Sequence, residues 1–332
     1  MSSRTELAVA VEVVRAAARV CRAVRQRMVS PETLQKKDRS PVTVADFASQ
    51  AVVCAKLERA LPGDPVVGEE DAAELRDPQQ AGILKVVLEQ VKPELGTANE
   101  DQVLGWIDRG GADARGNRYW TLDPIDGTKG FLRGGQYAVA LALIEEGQVV
   151  LGVLGCPSLP GSQAPGSQGS GVLMTAARGE GTRLLDLWGE SMAGETAKVQ
   201  PIDSTAQACF CESVESGHSD QDQSQQIARL LEITSDPIRI DSQCKYATVA
   251  RGQASIYLRI PTSEDYREKI WDHAAGKLVV EEAGGLVTDV DGKPLDFAQG
   301  RTLAGNRGII ATCGGIHGKV VEAVGEVLKK GT

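Results

Sequence analysis

Apolar positions change period along this chain, and those changes divide it into elements. Val11, Val14, Ala18 and Cys21 recur at helical spacing within residues 5–28, with arginines on the other side, which predicts an amphipathic helix. A polar loop, KKDRSPVT, precedes a second helix expected over about 44–61, where Thr43 and Asp46 stand at capping-box spacing. PVVGEE at 65–70 reads as a short buried strand ending in two acids, and residues 80–92 as a helix. RGGADARGNR at 109–118 reads as a mobile loop. Tyr119-Trp120-Thr121-Leu122 is aromatic and β-branched enough for a buried strand, which should stop at Asp123-Pro124.

Two alternating runs, 137–144 and 148–155, joined by EEGQ, predict an antiparallel hairpin. PGSQAPGSQGSG at 160–171 is low-complexity and expected to be a surface variation. VLMTAARGEGTRLLDL forms another hairpin with its turn at GEG. Around 190–204 the composition turns small and polar, which places a domain boundary there. Beyond it, expected strands (208–212, 254–259, 285–290, 307–312) alternate with expected helices (220–234, 243–251, 271–283, 315–330), an α/β pattern. The division is therefore an N-terminal α+β domain, 1–200, and a C-terminal α/β domain, 201–332.

Composition narrows the function classes. With 36 Lys and Arg against 45 Asp and Glu, the formal net charge is −9, a poor basis for binding a nucleic-acid polymer. An anionic substrate would need cations concentrated locally. Seven cysteines without a CxxC pair argue against a disulfide framework and for a reducing compartment. No stretch approaches the roughly 20 apolar residues of a membrane span. The expectation is a cytoplasmic monomer with neither a membrane nor a nucleic acid as partner.

Against that background, acids gather at the ends of predicted elements: Asp46, Glu69-Glu70, Asp123 with Asp126, and Asp272. Each has a plain structural reading: a helix cap for Asp46, a solvated strand end for the glutamates, a helix-dipole acid for Asp272. The turn DPIDGT is either well capped or a metal and phosphate site, since Gly127 and Thr128 follow the acids with outward N–H groups. Hard divalent ions take such oxygen ligands, and paired ions support phosphoryl hydrolysis.

GluGlu at 69–70, DPIDGT at 123–128 and WDHAAG at 271–276 resemble, in order and spacing, the lithium-sensitive, magnesium-dependent phosphatases of the inositol monophosphatase superfamily. SPVTVADFASQ, VESGHSD, DSQCKYATVARG, IYLRIP and YREKIWDHAAG extend the likeness to its bisphosphate nucleotidase branch. The resemblance implies a layered α-β-α-β-α sandwich of the sugar-phosphatase type. It implies that Glu69, Asp123, the carbonyl of Ile125, Asp126 and Asp272 hold two or three magnesium ions, with Glu70 as a supporting acid. Gly127 and Thr128 would bind the transferred phosphate, and the Asp46–Thr128 pair would activate the attacking water.

The same resemblance assigns His218, Ser242, Lys245 and Arg259 to nucleotide binding, so that a bisphosphorylated nucleotide keeps its unreacted phosphate against them. The implied reaction is hydrolysis of the 3′-phosphate of adenosine 3′,5′-bisphosphate, with 3′-phosphoadenylyl sulfate as a second substrate. Alternatives are an inositol phosphate phosphatase of the same superfamily and a nucleotide sensor without catalysis. Lys129 and Arg133 follow the motif closely enough to see phosphates, while His273 is expected to pack or to orient Asp272. His218, Lys245 and Arg259 also have structural readings: a helix cap, a solvated helix residue and an ion-pair partner.

Overall fold

The protein is described from a computed structural model, over residues 3–29, 40–161, 170–214, 221–261, 263 and 265–330. His218, most of the low-complexity stretch and the loop before the second helix lie outside the described residues.

A seven-stranded sheet is built in chain order from β1 (Val66–Gly68), β2 (Arg118–Asp126), β3 (Ala138–Glu145), β4 (Gln148–Pro160), β5 (Ser170–Ala177), β6 (Gly181–Asp186) and β7 (Glu195–Ala197). Only β1 and β2 run parallel; the later neighbours are antiparallel. A second sheet contains β8 (Phe210–Glu212), β9 (Ile238–Arg239), β10 (Ile256–Arg259), β11 (Leu286–Thr288) and β12 (Ile309–Thr312), in the order β11-β12-β10-β8-β9. Helices Ser3–Met28 and Ser40–Ala60 pack against each other and cover the outer face of the first sheet. Cys244–Ala250 and Ala274–Glu282 lie between the sheets, and Gln221–Leu230 with His317–Lys330 covers the second. The expected α-β-α-β-α sandwich is the fold.

Side-chain alternation explains the first sheet. In β3, Ala138, Ala140, Ala142 and Ile144 point into the core shared with the second sheet, whereas Val139, Leu141 and Leu143 pack beneath the outer helices. Both faces are buried, so the strand reads as one apolar run. The small inward residues let the central helices come close. A Cβ at Gly152 would stand 2.9 Å from the carbonyl oxygen of Ala275, and one at Gly276 would enter the Tyr246 ring. The first sheet ends at Ala197 and the second begins at Phe210, yet a single inner core contains residues of both.

Three local expectations change. The second helix begins at Ser40, so Thr43 and Asp46 lie inside it and Asp46 is not a cap. The strand does not stop at Asp123-Pro124. It continues to Asp126 through a bulge, in which Asp123 faces Ala140 and Asp126 faces Ala138, because proline gives no ladder N–H and the extra residue is extruded. The helix Glu100–Asp108 and the short strand β9 are additional; a full capping box at Asn99 and Gln102 starts that helix. The loop after it is anchored, since Arg301 donates to the carbonyls of Gly68, Gly110 and Ala112.

Candidate active site

Strand direction brings the first acids together. The parallel register pairs Gly68 with Leu122, so Glu69, the first residue past β1, stands beside Asp123, which is still in β2 at its bulge. Gln50, on the helix Ser40–Ala60, braces this edge: its amide donates to the carbonyls of Glu70 at 2.6 Å and Ile107 at 2.8 Å, and accepts from the Glu70 N–H at 3.1 Å. Ser49 donates to the Pro124 carbonyl at 3.0 Å and supports the bulge.

Gly127 follows with φ +88°, a left-handed angle that favours glycine, and leads into the short helix Thr128–Arg133. A Cβ there would lie 2.8 Å from the Cβ of Ser242, so glycine also permits the second half to dock. Gln243 completes that docking. Its N–H donates to Asp126 Oδ2 at 2.6 Å, and its side-chain amide donates to the Trp271 carbonyl at 2.9 Å. Ser242 itself has φ +65°, a strained angle for serine and one of the costs of closing the site.

Between the halves lies a cleft of about 230 Å³. Glu69, Asp123, Ile125, Asp126, Gly127, Thr128, Ser242, Lys245, Arg259 and Asp272 all border it, which brings together most of the residues expected from the sequence. Asp241, Ser213, Lys129 and Tyr257 join them. Asp46 and Glu70 do not border the cleft. Asp46 is buried with Oδ1 unpartnered, and among the described residues no hydrogen bond joins it to Thr128.

The acids strain one another electrostatically. Burial, then the charges of Glu69, Asp126 and Asp272, holds Asp123 well above the usual carboxylate range. Glu69, although its surface is accessible, is pushed up to about 8 by desolvation against surrounding protein, then by Asp272, Glu70 and Asp126. Asp46 is raised by burial and by Glu70 and Glu69, and Asp272 reaches about 6 through desolvation, with Arg259 opposing the rise. Glu70 is raised by burial and by Asp71 and Glu74. Asp46 and Asp123 are buried and the others only partly so, and the charged form of each is disfavoured by crowding that a cation would relieve. The donor set is hard oxygen, and Oδ1 of both Asp46 and Asp123 lacks a partner, so the residues fit magnesium.

The opposite wall is cationic. Lys245 is buried, and Nζ has neutral partners, Ser213 Oγ at 3.2 Å and the Ile240 carbonyl at 3.5 Å. Burial lowers its pKa, the direction for an ammonium drawn out of water. The ion-pair reading of Arg259 holds: Nε lies 2.8 Å from Glu268 Oε2 and Nη2 3.6 Å from Asp272 Oδ2. Arg133 pairs with Asp241 across the two halves. His273 is fully buried, which bears out the packing expectation, and its ring nitrogens contact Tyr246 and Glu268 rather than Asp272.

Sequence reasoning missed Gln50, Gln243 and Asp241. Both glutamines stand inside quoted motifs, ADFASQ and DSQCKY, where an uncharged polar residue among apolar ones signals a buried bracket.

A model of the inositol monophosphatase family matches residues 2–328. The chain is 44% identical to a 3′(2′),5′-bisphosphate nucleotidase of Schizosaccharomyces pombe, over 99% of this chain and 98% of that one. It is also 44% identical to a protein of the same name from Oryza sativa, over 98% and 95%. Among solved structures, an inositol monophosphatase from Zymomonas mobilis superposes with TM-score 0.63 at 18% identity, covering 98% of this chain and 100% of that one. One from Anabaena gives 0.61 at 20% identity, covering 97% and 96%. At such identities the structural likeness speaks for the fold.

Proposed function

The chain belongs to the inositol monophosphatase family of metal-dependent phosphatases, and from that premise we propose that it hydrolyses the 3′-phosphate of adenosine 3′,5′-bisphosphate to AMP and phosphate. The observation that carries the substrate is Lys245. It is a buried ammonium whose partners among the described residues are neutral, set across a cleft from a carboxylate cluster. A substrate with one phosphate at the acids and another at Lys245 would give that ammonium a directly contacting anion, beyond the more distant charges of Asp126 and Asp241. An inositol monophosphate has no second phosphate to place there. The likeness to a 3′(2′),5′-bisphosphate nucleotidase of Schizosaccharomyces pombe supports this reading.

Glu69, Asp123, the Ile125 carbonyl, Asp126 and Asp272 would hold two or three magnesium ions, which supply positive charge to the phosphoryl oxygens and make water easier to ionise. The backbone N–H groups of Gly127 and Thr128 would receive the transferred phosphate. Thr128, at the cleft, and Asp46, buried behind it, would act as a pair that orients and deprotonates the attacking water, Asp46 accepting from the Thr128 hydroxyl once substrate and metal are in place. Ser242, Lys245 and Arg259 would hold the nucleotide, together with His218. The sulfated relative, 3′-phosphoadenylyl sulfate, presents the same 3′-phosphate and is a second substrate, and lithium inhibits.

The test is magnesium-dependent phosphate release from adenosine 3′,5′-bisphosphate and inositol 1-phosphate side by side, then with lithium added. The nucleotide should be preferred, and Lys245→Met should raise KM for it by about tenfold, the loss of one charge-assisted contact. Preference for the inositol ester would remove the nucleotide reading. Nucleotide binding without phosphate release would mark a sensor instead.

A further inference from the structure

Arg259 is held by three oxygens of differing character. Its Nε contacts Glu268 Oε2 at 2.8 Å, while Nη2 lies 3.1 Å from the Tyr266 hydroxyl and 3.6 Å from Asp272 Oδ2. The same nitrogen is thus shared between a neutral hydroxyl and a carboxylate of the acid cluster. Glu268 is 3% exposed and receives a second contact on Oε2, from His273 Nε2 at 3.1 Å. A carboxylate only accepts, so this ring nitrogen carries the proton and Nδ1, 2.8 Å from the Tyr246 hydroxyl, accepts from it. Tyr246 and His273 are both fully buried, so Glu268 is fixed from behind.

Glu268, Asp272 and His273 place ligand atoms within 4.8 Å of one another, a spacing that would suit a cation. Arg259 already supplies positive charge there, and Glu268 Oε2 is saturated by two donors, so the trio is an ion-pair bracket. We propose that Glu268 and Tyr266 are positioning residues that hold the Arg259 guanidinium at a long contact with Asp272, keep it from closing to a direct hydrogen bond, and so leave Asp272 available to a divalent ion. Without the anchor, the nearest remaining carboxylate for Arg259 is Asp272. A close Arg259–Asp272 pair would satisfy that carboxylate internally and compete with the metal. The inference rests on Asp272 as a metal ligand and is independent of which phosphate ester is cleaved.

Mn2+ binding to the full chain without nucleotide, followed by electron paramagnetic resonance of the free ion, tests it. Tyr266 is 40% exposed, so Tyr266→Phe should fold normally. It should weaken Mn2+ binding about threefold, the scale of one lost hydrogen bond. Glu268→Gln should weaken it about tenfold, within the range of coupling between neighbouring groups. Arg259→Met should tighten binding, and in that background both substitutions should lose most of their effect. Equal losses with and without Arg259 would mean that Glu268 acts only through its own charge or through folding, and would overturn the inference. No change in Tyr266→Phe would do the same for Tyr266. Absence of Mn2+ binding by the unsubstituted protein would instead overturn the metal reading of Asp272.

Discussion

Asp123 and Glu268 are carboxylates of nearly equal burial, 2% and 3% exposed, yet their acidities move in opposite directions. For Asp123, burial and the charges of Glu69, Asp126 and Asp272 act together and raise its pKa. For Glu268, burial also raises it, but the His273 hydrogen bond and the charge of Arg259 outweigh burial and hold it low. Each also keeps one bare oxygen, Oδ1 of Asp123 and Oε1 of Glu268. Neither burial nor an unpartnered atom alone therefore identifies a functional acid. The difference is whether the fold has already supplied positive charge. Glu268 has Arg259 against its other oxygen, whereas the charges that bear most on Asp123 are those of other acids.

Activity should separate the two carboxylates most widely. Asp123→Asn or Asp126→Asn should lower phosphate release by about a thousandfold or more, the scale of removing a transition-state electrostatic group. The melting temperature in EDTA should hold or rise, because a crowded charge has gone. A near-normal rate would remove that residue from the site. Glu268→Ala should do the reverse in the melt, costing about 3–5 kcal/mol by leaving Arg259 without its main anion. Calorimetry should show that loss with and without magnesium.

A pH series separates the two environments further. Glu69 is raised from its unfolded value to about 8, so the metal-free folded state binds more protons than the unfolded chain between those values. Asp46 and Asp123 shift in the same direction. Stability in EDTA should therefore fall as pH rises from about 5 to 8, and saturating magnesium should flatten the fall, since ligands bind metal deprotonated. Glu268, held low, contributes stability that is present above its unfolded pKa and lost on acidification. A melt independent of pH in EDTA would mean that the cluster is not mutually repulsive.

The smallest effect concerns Asp46. If it works with Thr128 as one unit, the double substitution Asp46→Asn with Thr128→Ala should cost no more than about threefold beyond the worse single change. Additive losses in steady-state rates would show that the two act separately.

Much of the site was legible because its chemistry is local. DPIDGT carries two acids, a proline and a glycine within six residues, and each restricts the backbone as well as supplying an atom. The hairpins were legible from period-two patterns and from Glu146-Gly147, whose φ angles of 49° and 73° match a tight primed turn. The start of the second helix was not, because a threonine and an acid three apart occur inside helices as well as at their caps. Gln50 and Gln243 escaped notice for a related reason: a glutamine has no marked chemistry until its partners are known.

The acids, the apolar periods and the order of elements follow from residues near one another in the chain, and so were readable without the fold. Tertiary structure decided which charges meet. The parallel register of β1 with β2 sets Glu69 beside Asp123, and the docking of Gln243 on Asp126 closes the cleft with Lys245 facing it. Whether a buried carboxylate meets a cationic side chain, like Glu268, or other acids, like Asp123, depends on segments distant in sequence and on the exclusion of water around them.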